Sequence, residues 1–186
     1  MSKSTWIYVA IAVMFGAAGV YVGVSKKAPE GPVTTAYQPT AGTPPTPVQA
    51  LFAQSMNDAS GASQSLARWK GKALVVNFWA PWCAPCVEEM PELDTLAKES
   101  AANGINIIGI GIDSPTNIAQ FANKFKISYP LYVAGLSGTE LARDFGNKAG
   151  GLPYTVLIGA DGQVKKTYLG RLKFDELKAD LAALKS

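Results

Sequence analysis

Two uninterrupted apolar runs constrain this chain more than anything else in it: "ALVVNFWA" at residues 73–80 and "INIIGIGI" at residues 105–112. A strand that is apolar at every position, rather than at alternate ones, has to be covered on both faces, and helices are the usual cover. The segment between the runs supplies one. From residue 86 to about 102, Met90, Leu93 and Leu96/Ala97 fall on one helical stripe. Further on, residues 117–125 predict a helix, "PLYVA" a strand, and 139–145 a short helix ended by Gly146. "YTVLIG" and "VKKTYLG" predict two strands joined at Asp161-Gly162, a hairpin turn pair, and residues 174–184 a closing amphipathic helix. The stretch 51–72 is less regular, with "DASGASQSL" suggesting the turn of a small leading hairpin. This order implies an α/β fold: a mixed β-sheet flanked by helices, parallel in part, with an antiparallel edge.

The globular pattern occupies residues 48–186. Ahead of it, residues 1–25 contain an uncharged apolar run, 6–24, bordered by Lys3 and by Lys26 and Lys27. As a helix that run spans roughly 28 Å, close to the ~30 Å hydrocarbon core of a bilayer. It reads as a membrane anchor. A cleaved signal peptide is the alternative, with small residues at 16–18 as a processing site, although the apolar run outlasts an ordinary signal core. Residues 26–47, "KKAPEGPVTTAYQPTAGTPPTP", are rich in Pro, Thr and Gly, too poor in apolar surface to offset the entropy of ordering. They read as a semi-extended tether.

Composition removes several function classes. A net charge of +3 with scattered Lys and Arg is no nucleic-acid footprint. With no histidine, neither Ser-His-Asp nor Cys-His catalysis is available, and no His-ligated metal site can form. The only two cysteines are Cys83 and Cys86, in "NFWAPWCAPC", where the first apolar run meets the helix after it.

That junction has its own chemistry. A helix N-terminus presents unpaired N–H groups and a partial positive charge, which favour thiolate over thiol. The thiolate is the form that attacks a disulfide. With two residues between them, one sulfur can displace what the other has captured. Cys83, the outer of the pair, is therefore the candidate nucleophile and Cys86 the resolving thiol. Pro85 suits the first helical turn, where its missing N–H has no partner to lose. Two bland alternatives stand beside this reading: a zinc site shared between chains, since two cysteines are only half a ligand set, and a static disulfide, which would stabilise little across so short a loop.

"NFWAPWCAPC", Pro91 five residues after the second cysteine, and the distal "GGLPYTVLIG" together resemble the thioredoxin superfamily, and more narrowly its TlpA/ResA-like membrane-anchored thiol–disulfide oxidoreductases. The resemblance runs from about residue 48 to the C-terminus. It implies a thioredoxin-like sheet with an N-terminal β-hairpin extension and an inserted helix and strand before "PLYVA". It implies that Pro153 is cis and packs against the dithiol, that Leu152 offers its backbone to a docked substrate strand, and that Trp82 and Pro85 frame the thiols as part of the substrate surface. It implies that Glu89, one helical turn beyond Cys86, is a glutamate held near the active site. Hypothesised to tune or relay the Cys86 proton, Glu89 could equally be a solvated first-turn carboxylate like Glu88. Where thioredoxins often place a buried Asp beneath the dithiol, this chain has Asn77, which cannot titrate. Trp79, alternating with strand residues, is expected in the core, and Pro91 is expected to interrupt the helix.

The expected activity is reduction of disulfides in extracytoplasmic proteins, cytochrome c maturation among the settings the resemblance offers. Ala84-Pro85 adds no positive charge between the thiols, which argues for a reducing potential. No metal or other cofactor is expected. The expected partners are disulfide-containing substrate proteins, a membrane-bound electron donor and the membrane itself, with the domain in the periplasm. The rivals are a disulfide oxidase or isomerase, and a binding module with an inert disulfide.

Overall fold

The computed structural model describes residues 44–184. The apolar segment 6–24, and with it the anchor and signal-peptide readings, lies outside the described residues, as does the linker up to residue 43. Among the described residues no helix is long and apolar enough to cross a membrane.

The chain opens with a one-and-a-half-turn helix, α1 (Pro47–Phe52). The sequence pattern did not disclose it, because six residues are too few to display a period. Its determinant is local: Thr46 forms a capping box with Gln49, each side chain holding the other's backbone N–H, and Pro47 starts the first turn. The leading hairpin follows as β1 (Ser55–Asp58) and β2 (Ser63–Ser65), antiparallel. Asp58 organises its turn by accepting from the N–H groups of Ser60 and Ala62. A 3-10 turn (Leu66–Trp69) leads to β3 (Ala73–Trp79). Then come α2 (Ala84–Ala101), β4 (Ile105–Gly111), α3 (Pro115–Phe125), β5 (Leu131–Val133), α4 (Ser137–Asp144), β6 (Tyr154–Ile158), β7 (Val164–Leu169) and α5 (Phe174–Ala183).

The seven strands form one sheet in the order β2-β1-β5-β4-β3-β6-β7. The first apolar run, β3, sits inside it, parallel to β4 and antiparallel to β6. Between β4 and the "PLYVA" strand, β5, the inserted segment forms the helix α3 and, among the described residues, no strand of its own, which corrects the expected helix-and-strand insertion: the eleven-residue helix takes up most of the connection. Strand β5 extends the sheet beyond β4, in parallel. The β6–β7 hairpin closes the other edge around Gly162, whose φ of +74° needs glycine.

Burial on both faces follows from β3 residue by residue. Leu74, Val76 and Phe78 enter a core with α1 and α4, beside Leu51, Ile108, Ile110, Leu141 and Phe145. Val75 and Trp79 enter a second core with α2, α3 and α5, beside Met90, Leu93, Ile118, Phe121 and Leu177. Trp79 is fully buried, as expected, its ring 4.7 Å from that of Phe121. Burying side chains of this size contributes about 1.5–3 kcal/mol each. The one break in the apolar face is Asn77, between Val75 and Trp79, and it too is fully buried.

The second core leaves no room at Gly109, which pairs with Asn77 across β3 and β4. A Cβ there would lie 2.5 Å from Leu131 Cδ2 and 3.0 Å from Trp79 Nε1. Gly109→Val is expected to destabilise the domain by about 1–3 kcal/mol, read as a lower urea midpoint with an unchanged slope.

Candidate active site

The site forms where β3 ends and α2 begins. Strand β3 delivers the chain through Ala80 and Pro81 to Trp82, whose side chain stands 68% exposed at the surface. Cys83 is the N-cap of α2, and Pro85 lies in its first turn. Cys83 and Cys86 are joined in a disulfide with their Cα atoms 5.3 Å apart. The expectation that Cys83 is the more accessible sulfur holds only in rank. Cys83 is 7% exposed and Cys86 fully buried. The pair lies at the N-terminal end of α2, where the first N–H groups of a helix have no intrahelical partner. Pro91 lies inside α2, where it removes one backbone bond.

The Leu152–Pro153 bond is cis, and Pro153 is buried. Leu152 packs against the apolar cluster that contains both cysteines. Its N–H and C=O form no hydrogen bond among the described residues, so this backbone edge is available for pairing. Asn147 Nδ2 steadies the loop by donating to the Gly151 carbonyl at 2.8 Å.

Beneath the disulfide lies a polar cluster inside an otherwise apolar layer. Glu89 is fully buried, which corrects the reading of it as a solvated carboxylate. That description fits its neighbour Glu88, which is exposed and pairs with Arg171 at 2.9 Å. Residues 86, 89, 90 and 93 form the buried stripe of α2, so Glu89 takes a core position that periodicity assigns to an apolar residue. Its Oε1 accepts from Asn77 Nδ2 at 2.9 Å, and its Oε2 from the Leu172 N–H at 2.9 Å. Asn77 Nδ2 also donates to Thr155 Oγ1 at 3.0 Å. Burial raises the Glu89 carboxyl from its ordinary 4.5 to about 7, against the opposing pull of the Leu172 and Asn77 hydrogen bonds and the Arg171 charge.

Asn77 suits either protonation state of this carboxyl. As found, its amide NH2 faces the carboxylate, and its Oδ1 is buried without a partner. Rotated by half a turn, it would offer Oδ1 to a protonated Glu89. An aspartate here could not play both parts without changing its own charge.

Sequence reasoning located Cys83, Cys86, Glu89, Trp82, Pro85, Leu152 and Pro153, and the fold brings them to one end of the sheet. It missed Thr155 and Leu172. Thr155 had a readable signal, a polar residue in the apolar strand "YTVLIG". Leu172 acts through a backbone N–H, which leaves no trace in a residue name. Among the described residues, no group of three or more Cys, Asp or Glu side chains is placed to hold a metal ion.

Comparison with known proteins agrees with this geometry. The Redoxin family model matches residues 27–181. The thiol-disulfide oxidoreductase ResA of Geobacillus thermodenitrificans is 30% identical over 131 residues, 70% of this chain and 73% of that protein. ResA of Bacillus thuringiensis is 31% identical over 128 residues, 68% of this chain and 71% of the relative. Among solved structures, a thiol:disulfide interchange protein of the thioredoxin family from Chlorobium tepidum superposes with a TM-score of 0.64 at 26% identity, covering 72% of this chain and 93% of that one. DsbF from Mycobacterium tuberculosis, solved in mixed oxidised and reduced forms, gives 0.62 at 26% identity, covering 73% and 97%. With a CxxC disulfide at the head of α2 and a cis-proline loop near it, the chain belongs to the Redoxin family, as a TlpA/ResA-like thiol–disulfide oxidoreductase of the thioredoxin superfamily.

Proposed function

We propose that this protein reduces disulfides in extracytoplasmic proteins, apocytochromes c among the substrates. Residues 1–25 tether it to the membrane, residues 26–47 act as a spacer, and the catalytic domain lies in the periplasm. The observation that carries the reading is the redox pair at a helix N-terminus, with a buried glutamate one turn along on the same face.

The cycle balances without a cofactor. The Cys83 thiolate attacks one sulfur of the substrate disulfide, forming a mixed disulfide and releasing the other sulfur as a thiolate. Cys86, once deprotonated, attacks Cys83 Sγ and releases the second substrate thiolate. Two electrons have then passed to the substrate, and the enzyme holds the Cys83–Cys86 disulfide seen in the structure. Glu89 takes the Cys86 proton. A carboxyl that titrates near 7 is matched to a buried thiol better than one near 4.5. Trp82 and Pro85 form the contact surface, and the free backbone of Leu152, before cis-Pro153, pairs with an extended substrate segment. A membrane-bound dithiol donor returns two electrons. The tether holds the domain within a shell near that donor and raises its effective concentration.

Three outcomes follow. Equilibrated with a thiol–disulfide buffer series, the domain should show a potential near that of thioredoxin, roughly −270 mV. A value near −120 mV, that of a strong oxidant, would assign it to the oxidase rival, and a pair that resists mild reductants would assign it to the binding-module rival. Cys86→Ser should accumulate a mixed disulfide on Cys83 with its physiological partner, detected on non-reducing gels, and Cys83→Ser should not. The oxidised wild type should lose roughly 2–3 kcal/mol of stability as pH rises from about 4.5 to about 7. Over that window the unfolded chain has released the Glu89 proton and the folded chain still holds it. Glu89→Gln should flatten this slope in urea titrations, and should shift the pH dependence of Cys86 alkylation in the reduced protein.

A further inference from the structure

We propose that a cavity beside the disulfide binds a basic side chain, lysine or arginine, next to the cysteine of the substrate polypeptide. This rests on the oxidoreductase reading above. The cavity has a volume of about 710 Å³. It forms where the chain leaves the C-terminal ends of the adjacent parallel strands β4 and β5, the place where α/β sheets leave a crevice. Two of its lining residues touch the redox site in sequence: Trp82 precedes Cys83, and Leu152 precedes cis-Pro153. A substrate strand paired with the free backbone of Leu152 therefore passes the cavity mouth.

The walls are largely apolar, from Ile112, Val133, Ala134, Ala142 and Leu152. At the rim stand two large exposed apolar side chains, Trp82 and Leu136, the latter 88% exposed. Asn57, Ser114 and Thr139 add polar side chains to this lining, and two further residues, Asp113 and Asn147, bring acceptor oxygens with no donor among the described residues. Asp113 is the only ionisable residue among those that line the cavity. Its Oδ1 accepts from the Ser114 N–H and Asn117 Nδ2, while its Oδ2 accepts no hydrogen bond and meets no Lys or Arg among the described residues. Asn147 is the second. It is 3% exposed, and its NH2 is committed to the Gly151 carbonyl, so its other amide atom must be the oxygen. That oxygen is buried and has no donor, a condition native structures seldom leave uncorrected. The glycine-ended turn of α4 puts it there: Gly146 has φ +102°, and the Asn147 N–H returns to the Ala142 carbonyl.

An apolar sleeve with unpaired acceptors matches a side chain with a methylene stem and a cationic donor head. The Trp82 indole offers such a head a π face at the rim. A leucine would fill the walls and leave both acceptors unpartnered. A glutamate would bring a third acceptor against Asp113. The cavity thus discriminates by charge and not by size alone.

Three peptides test this, each a mixed disulfide with glutathione at a single cysteine. They differ only in whether both neighbours of that cysteine are Arg, Leu or Glu. Reduction by the full-length reduced protein is followed as kcat/KM. The expected order is Arg, then Leu, then Glu, with Arg about five- to tenfold ahead of Leu and the gap narrowing in high salt. Within Asp113→Asn the Arg-to-Leu ratio should fall toward one, and within Asp113→Lys the order should invert in favour of Glu. Ratios inside each variant are independent of its overall activity. Should a variant not fold, the salt dependence of the wild-type ratio decides. Equal rates for the three peptides in the wild type, a wild-type ratio indifferent to salt, or an unchanged order in Asp113→Lys, would overturn the pocket while leaving the oxidoreductase reading intact. Failure to reduce any of the three would overturn both.

Discussion

Strand β3 is buried on both faces, and the position of every other functional group depends on that burial. Leu74, Val76 and Phe78 lock one face to α1 and α4, while Val75 and Trp79 lock the other to α2, α3 and α5. A strand clamped in this way cannot slip by one residue without moving each set into the wrong core. Its exit point is fixed, and so is the start of α2. The redox pair is therefore attached to a strand fixed from both faces, and its geometry is inherited from core packing rather than from the short loop that carries it.

The same clamp makes the polar exception meaningful. Between two core residues of β3 sits Asn77, and on the facing stripe of α2 sits Glu89, both without solvent exposure. Burying a carboxyl is costly unless it is neutral or well hydrogen-bonded. Here the two remedies are nearly balanced. Two donors favour the charged form and desolvation favours the neutral one, and the outcome is a titration near 7. A carboxyl left in water could not reach that value, and one buried without donors would overshoot it. The Leu172 N–H that completes the cluster comes from the segment between β7 and α5, so the Glu89 carboxyl is tied to both α2 and the chain after the final hairpin.

The proposed substrate recess lies at the ends of β4 and β5. Trp82 and Leu152 stand beside the disulfide and also line the crevice at the ends of β4 and β5. Extending the sheet with α3 and β5 is what creates that crevice, because two parallel strands end there side by side and their chains diverge. This extension does more than widen the sheet. It adds a lined recess next to Trp82 and Leu152.

Much of this was legible in residue order alone. Continuous apolar runs foretold strands covered on both faces, and the stripe of Met90, Leu93 and Leu96 foretold α2. The CxxC spacing at a strand–helix junction specified thiol chemistry, with the absence of histidine leaving little else. These features are local, so a pattern can record them. What the pattern left open was the state of Glu89, as a solvated first-turn acid and a buried carboxyl have the same spacing from Cys86. Only the tertiary fold chose between them, by laying α2 against β3 and bringing Asn77, Thr155 and the Leu172 backbone from distant parts of the chain around one carboxyl. Residue order by itself determined which groups could react. Desolvation and long-range hydrogen bonding, which exist only once the layers are packed, decided where the carboxyl beside them titrates.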